Sequence, residues 1–81
     1  MNFYVYILKS QKDHKYYIGQ TNNLSARIER HNNGQVISTK NRKPLILIYF
    51  EEYKTRAESM RREHYLKILK GNIEFHKIIE K

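Results

Sequence analysis

The longest apolar runs in the sequence are Phe3 to Leu8 and Leu45 to Phe50, six residues each. Both are rich in β-branched and aromatic residues, so each reads as a strand covered on both faces. Leu45 to Phe50 is the stronger of the two and is expected at the centre of the sheet. In 81 residues these strands serve one core, because a second does not fit, and a single domain over 1–81 is expected. A chain this short buries only about 60% of the surface its unfolded form exposes. Cysteine is absent, which excludes a disulfide framework, a thiolate zinc site and a cysteine nucleophile. Neither run approaches the ~20 residues of a membrane-spanning helix, so no membrane partner is expected. The N-terminus lacks a basic leader followed by a long apolar segment, so a cytoplasmic location is expected. A hydrophobic content of 40%, with seven tyrosines, argues against disorder.

The polar segments place the remaining elements. Ser10 to Lys15 is a turn, with Asp13 as its turn former. Tyr16-Tyr17-Ile18-Gly19 follows as a short strand and completes a hairpin. Asn22 and Asn23 suit the N-cap of a helix over Leu24 to His31, and Gly34 suits its end. Gln35 to Lys43 is polar and basic, closed by Pro44, and is expected to be a loop, mobile over Ser38 to Lys43. Thr55-Arg56-Ala57-Glu58 is a capping box that opens a helix to about Lys70. Gly71 ends that helix, and Asn72 caps a last short one bearing Ile73, Ile78 and Ile79. The order is β-β-α-β-α-α. The expected fold class is α+β and sandwich-like, a largely antiparallel three-stranded sheet flanked by helices.

Several polar residues fall where chemistry could occur. In an antiparallel hairpin, Tyr6 and Tyr17 share a face whenever paired residue numbers sum to an odd value. A sum of 23 makes them direct neighbours and puts Gly19 opposite Tyr4, leaving room there for a ligand backbone. The same pairing also describes an aromatic pair in a core, which the pattern alone favours. On the first helix Leu24 and Ile28 define the buried face. Arg27 and His31 then lie one turn apart along its rim. An arginine stem lying over apolar surface beside a capping histidine has the same spacing. On the second helix Ala57, Met60, His64 and Ile68 mark the expected buried face, widened by Tyr65 and Leu69. Glu58 is expected to pair with Arg62. Glu63 sits at the core rim, and an i, i+4 pair with Lys67 is the plainer reading of it. No two histidines stand at metal-ligand spacing with a carboxylate. The net charge is +8, from 16 Lys+Arg less 8 Asp+Glu. A small basic domain suits a polyanion, and Lys40, Arg42 and Lys43 in the loop suit phosphate contact.

Val5-Tyr6-Ile7, then Tyr17-Ile18-Gly19, then Arg27 in a helix and Glu63 in a later one, resemble the GIY-YIG nuclease superfamily. The likeness is in particular to its small stand-alone members, related to the N-terminal nuclease domain of the bacterial excinuclease. It covers nearly the whole chain, taking in the histidine-asparagine run ending at Gly34, the Thr39, Arg42 and Pro44 positions, and Arg62-Glu63. Val5 stands where the motif begins with glycine. Gln20 stands where excinuclease-type domains tend to have lysine. The chain ends without a DNA-targeting domain, so little sequence specificity of its own is expected, with another protein supplying the target.

The resemblance implies metal-dependent hydrolysis of phosphodiester bonds, in DNA more than RNA, in repair or recombination. It assigns catalysis to Tyr6, Tyr17, Arg27, His31 and Glu63. Nucleic-acid contacts fall to Gly19, Gln20, Lys40, Arg42 and Lys43. Glu63 would hold one divalent cation, Mg2+ or alternatively Mn2+. Arg27 offers donors to the phosphate oxygens. Tyr6 is favoured as the base over Tyr17, with His31 orienting or relaying a proton. A tyrosine has an ordinary pKa near 10, so a base role requires neighbouring positive charge. Two other classes fit the same composition. One is a non-catalytic nucleic-acid-binding module on the same scaffold, and the other is a protein-interaction domain.

Overall fold

A computed structural model describes residues 2–80. The chain forms β1 (Phe3–Ser10), β2 (Tyr16–Thr21), α1 (Leu24–Asn32), β3 (Leu45–Tyr53), α2 (Arg56–Leu69) and α3 (Ile73–Ile79). The fold is α+β, as expected, with an antiparallel sheet in the order β2-β1-β3. Local signals set the helix ends. Asn23, Thr55 and Asn72 each cap a helix by accepting a backbone N–H with their side chains. Gly34 and Gly71 take the left-handed backbone that follows α1 and α2.

The hairpin closes on a turn of four residues, 11–14. The Ser10 hydroxyl is fully buried and accepts from the N–H groups of Lys12 and Asp13. Asp13 Oδ1 accepts from the Lys15 N–H at 2.9 Å. Paired residue numbers therefore sum to 25 rather than 23, with Tyr6 opposite Gly19 and Leu8 opposite Tyr17. A sum of 23 needs a two-residue Gln11-Lys12 turn, and that pair lacks the glycine or asparagine such turns use. The sum stays odd, so both tyrosines remain on one face.

The central strand is β1, and the expectation that β3 fills that place is corrected. Val5 and Ile7 pack with Leu66 and Phe75 on one face, while Tyr6 and Leu8 pack with Leu45 on the other. β3 lies at an edge, and its Ile46 and Phe50 are half exposed. An edge strand needs cover only where a helix crosses it, and α1 has just nine residues.

A second correction concerns α2. Its buried residues are Ser59 and Leu66, with Arg62, Glu63 and Leu69 half-buried. Met60 and Ile68, expected inside, are 51% and 67% exposed, and Ala57 and His64 also face solvent. The cause is Glu51 on β3. Its carboxylate accepts from Arg62 Nε at 2.8 Å and Nη2 at 3.0 Å, and from the hydroxyls of Tyr49 and Tyr53. Burial opposes its ionisation, but these donors outweigh burial and hold the Glu51 carboxyl below its ordinary range. Burial and the Glu51 charge push the Tyr53 phenol up to about 12. Arg62 is thereby drawn under the helix, and Leu66 one turn on enters the core. Glu58 does not pair with Arg62; it closes the capping box with Thr55.

Candidate functional site

With α2 turned this way, Glu63, Lys67 and Lys70 share one flank at i, i+4 and i+7. That flank forms one wall of a cleft of about 600 Å³ at the β2 edge. The other wall comes from α1 and the 36–39 segment. The cleft brings together Tyr6, Tyr17, Arg27, His31 and Glu63, and its lining also includes Gly19 and Gln20.

Tyr6 is only 2% exposed, yet its hydroxyl reaches the cleft. The reason is Gly19, directly across the hairpin. A Cβ at Gly19 would overlap Oη and Cζ of Tyr6, so only glycine lets the ring lie across β2. The room expected there for a ligand backbone, opposite Tyr4, is instead taken by the Tyr6 ring.

Two residues of α1 hold the Tyr6 oxygen. Arg27 Nε donates to it at 3.1 Å, and His31 Nε2 lies 2.9 Å away. His31 is 3% exposed, and its Nδ1 is 2.7 Å from Oγ1 of Thr39, itself buried. Burial pushes the His31 imidazole down to about 4, and the charges of Arg27 and Arg30 add to this. The ring is neutral at pH 7 and carries one N–H. Arg27 already donates into Tyr6 Oη. The assignment that uses every proton has Tyr6 donating to Nε2 and Nδ1–H donating to Thr39.

Tyr17 belongs to a different network. Its hydroxyl donates to Asp13 Oδ2 at 3.1 Å and accepts from Arg42 Nε at 3.2 Å. Glu63 Oε2 pairs with Lys67 Nζ at 3.2 Å, and its side chain is 21% exposed. Gln20 Oε1 accepts from Arg56 at 3.5 Å. Lys40 and Lys43 are exposed and lie outside the cleft walls. The loop expected to be mobile is tied at several points. Thr39 bonds His31, Ser10 Oγ donates to the Arg42 carbonyl, and the Gln11 N–H donates to the Pro44 carbonyl. Asn32 stitches α1 to β3 through both backbone groups of Leu45.

Among the described residues, no three acidic or imidazole side chains converge as metal ligands. Glu63 is a lone carboxylate on the cleft wall. That donor set suits Mg2+, which takes one or two carboxylates and completes its shell with water and substrate phosphate.

Sequence reasoning did not single out Thr39, Asp13 or Lys70 as site residues. Thr39 had a signal only in its place in the loop before β3. Asp13 and Lys70 are recognisable only once the hairpin register and the rotation of α2 are known.

Over 70 residues the chain is 49% identical to the UPF0213 protein CPE1444 of Clostridium perfringens, covering 85% of this chain and 74% of that one. It is 41% identical over 69 residues to the UPF0213 protein YazA of Bacillus subtilis, covering 84% and 69%. The solution NMR structure of the UPF0213 protein BH0048 from Bacillus halodurans superposes with a TM-score of 0.62 at 32% identity. That match spans 100% of this chain and 86% of the other. Residues 2–76 match the GIY-YIG catalytic domain. This span takes in both hairpin tyrosines, Arg27, His31 and Glu63, and the chain therefore belongs to the GIY-YIG nuclease family.

Proposed function

We propose that the cleft hydrolyses phosphodiester bonds in DNA, with one divalent cation, Mg2+ or Mn2+, held by Glu63. The observation that carries this reading is the Tyr6 hydroxyl, clamped between Arg27 at 3.1 Å and a neutral His31 at 2.9 Å. Any buried phenol needs partners, and what suits this one to proton transfer is their kind, a cationic donor on one side and a neutral acceptor on the other. With the neutral imidazole as acceptor, Tyr6 can take a proton from water as its own passes to His31 Nε2. An entering phosphate brings negative charge, which favours the imidazolium and eases that transfer. Arg27 uses Nε on Tyr6, so its terminal nitrogens are the donors left for the non-bridging oxygens. The water oxygen bonds to phosphorus, and the ester bond to the leaving oxygen breaks. When bound, the cation supplies charge neutralisation at that oxygen. Lys67 and Lys70 add positive charge along the same wall, which supports affinity for a backbone rather than for a base sequence. The likeness to excinuclease-type domains supports repair or recombination as the setting.

The Glu63–Lys67 ion pair favours a second reading, a binding module whose carboxylate is already satisfied. One experiment separates them. Nicked, branched and single-stranded DNA, and matching RNA, are incubated with the protein with and without Mg2+. Cleavage of DNA only with Mg2+, abolished by Glu63→Gln, is the expected result. Cleavage that survives Glu63→Gln removes the metal role. Binding without cleavage of any substrate leaves the module.

A further inference from the structure

Tyr17 stands two pairs along the hairpin from Tyr6, on the same face, yet shares none of its partners. Its hydroxyl and Arg42 Nε both point at one oxygen, Asp13 Oδ2, at 3.1 Å and 2.9 Å. The Lys70 ammonium lies 5.6 Å from the centre of the Tyr17 ring. Tyr17 and Lys70 both belong to the cleft wall. One anionic oxygen is thus held by a phenol O–H and a guanidinium N–H, and an ammonium lies over the ring of that phenol. Those are the donors that a non-bridging phosphate oxygen takes. We propose that Tyr17, Arg42 and Lys70 form a phosphate subsite for a DNA backbone lying in the cleft, and that Asp13 occupies it in the free protein. The inference rests on the cleft being a DNA site.

Asp13 divides its two oxygens between two tasks. Oδ1 closes the turn on Lys15, and only Oδ2 covers the subsite. The Lys15 N–H above all, with Tyr17, Ser10 and Arg42, holds this carboxyl below its ordinary range against burial, so it is ionised at pH 7. The Arg42 backbone is fixed by Ser10 Oγ at 2.6 Å, while its side chain is 43% exposed. The guanidinium can therefore leave Asp13 for a phosphate without moving the loop. Because it must first give up a carboxylate, DNA binding here is weaker than the donor set alone would allow.

Asp13→Asn keeps an oxygen for the turn and removes the charge. Glu74→Gln, in the first turn of α3 and outside the cleft walls, removes the same charge elsewhere. Each is titrated, without divalent cation, against a short fluorescein-labelled nicked duplex at several salt concentrations. One more phosphate neutralised should tighten binding roughly 8-fold at about 0.1 M salt, and steepen the salt slope by about 0.9, beyond the Glu74→Gln effect. In an Arg42→Ala background the advantage of Asp13→Asn should vanish. A gain no larger than that of Glu74→Gln, or one that persists without Arg42, overturns the proposal. No binding by any variant overturns the DNA reading and the subsite with it. The titration involves no cleavage, so a catalytically inert protein that still shows the Arg42-dependent gain keeps the subsite and loses only the nuclease.

Discussion

His31 should make the protein acid-labile well above the range where carboxylates protonate. In the folded state its imidazole resists protonation until about pH 4, chiefly because it is buried, with Arg27 and Arg30 beside it. In the unfolded chain it takes a proton near its ordinary value of 6.5. Between those values the unfolded state binds more protons, so stability is complete above pH 6.5 and falls as the pH drops toward 4. The loss from pH 7 is ~2 kcal/mol by pH 5 and ~3 kcal/mol by pH 4, at about 1.36 kcal/mol per pH unit. Urea unfolding followed by circular dichroism measures this directly. A chain of this size has a slope near 1 kcal/mol per molar urea, so the midpoint should fall by about 2 M between pH 7 and 5. Glu51 and Asp13 also lose stabilising ionisation in acid, but only as the pH falls through their ordinary values of 4.5 and 3.8, which leaves the span from pH 6.5 to about 5 to the imidazole. His31→Gln should be less stable at pH 7 and nearly flat across it. A wild-type midpoint that moves no more than that of His31→Gln would refute the buried neutral imidazole, and with it the proton assignment between Tyr6 and Thr39.

Tyr6→Phe removes the hydroxyl held by Arg27 and His31 and should lower cleavage by about 10²–10⁴-fold in a nicking assay, with the circular dichroism spectrum kept. Gly19→Ala places a methyl group where the Tyr6 ring lies, and should cost about 1–3 kcal/mol in urea unfolding while also lowering cleavage. Preserved activity in that variant would show that Tyr6 need not lie across β2. Glu51→Gln leaves Arg62 without its carboxylate and should destabilise by about 1–3 kcal/mol, less than a fully buried pair because both partners are partly exposed. An unchanged melting temperature in Glu51→Gln would remove the account given for the rotation of α2.

Features that depend on neighbours in sequence were legible, and features that depend on partners across the sheet were not. Asn23, Thr55 with Glu58, Asn72, Gly34 and Gly71 each act within a turn of the residue they serve, so helix ends could be placed from the chain alone. Arg27 and His31 share a rim because they are one helical turn apart, which any α-helix enforces. By contrast, the face that α2 buries is chosen by a carboxylate on β3. Hydrophobic periodicity counts Arg62 as solvent-facing, so it selected Met60 and Ile68 instead. The hairpin register was within reach, since a two-residue Gln11-Lys12 turn is chemically poor. What sequence could not supply was the consequence, that Gly19 lies beneath Tyr6 rather than beside a ligand. Thr39 escaped because its burial depends on the 35–44 segment folding back onto α1.

These misreadings share a cause that bears on how so small a fold can carry a site. Its buried side chains include Ser10, His31, Thr39 and Ser59, polar groups that would weaken a thin core if left unpaired. Each has a partner. Ser10 ties the hairpin turn to the Arg42 carbonyl, Thr39 ties the loop to His31, and Ser59 bonds back to Arg56. The first two bonds also fix the two tyrosine networks, because Arg42 reaches Tyr17 and His31 reaches Tyr6. The same contacts that hold the loop down therefore hold the candidate chemistry in place. Thr39→Val should expose this economy. It keeps the volume and removes the acceptor for His31 Nδ1–H, so the imidazole loses its orientation as well as a hydrogen bond. Stability should fall by about 1–2 kcal/mol, and cleavage should fall further than that of a control loop substitution such as Ile37→Ala, where the side chain is 86% exposed. Equal activity in the two variants would mean that the loop serves the fold alone and that His31 is oriented by something other than Thr39.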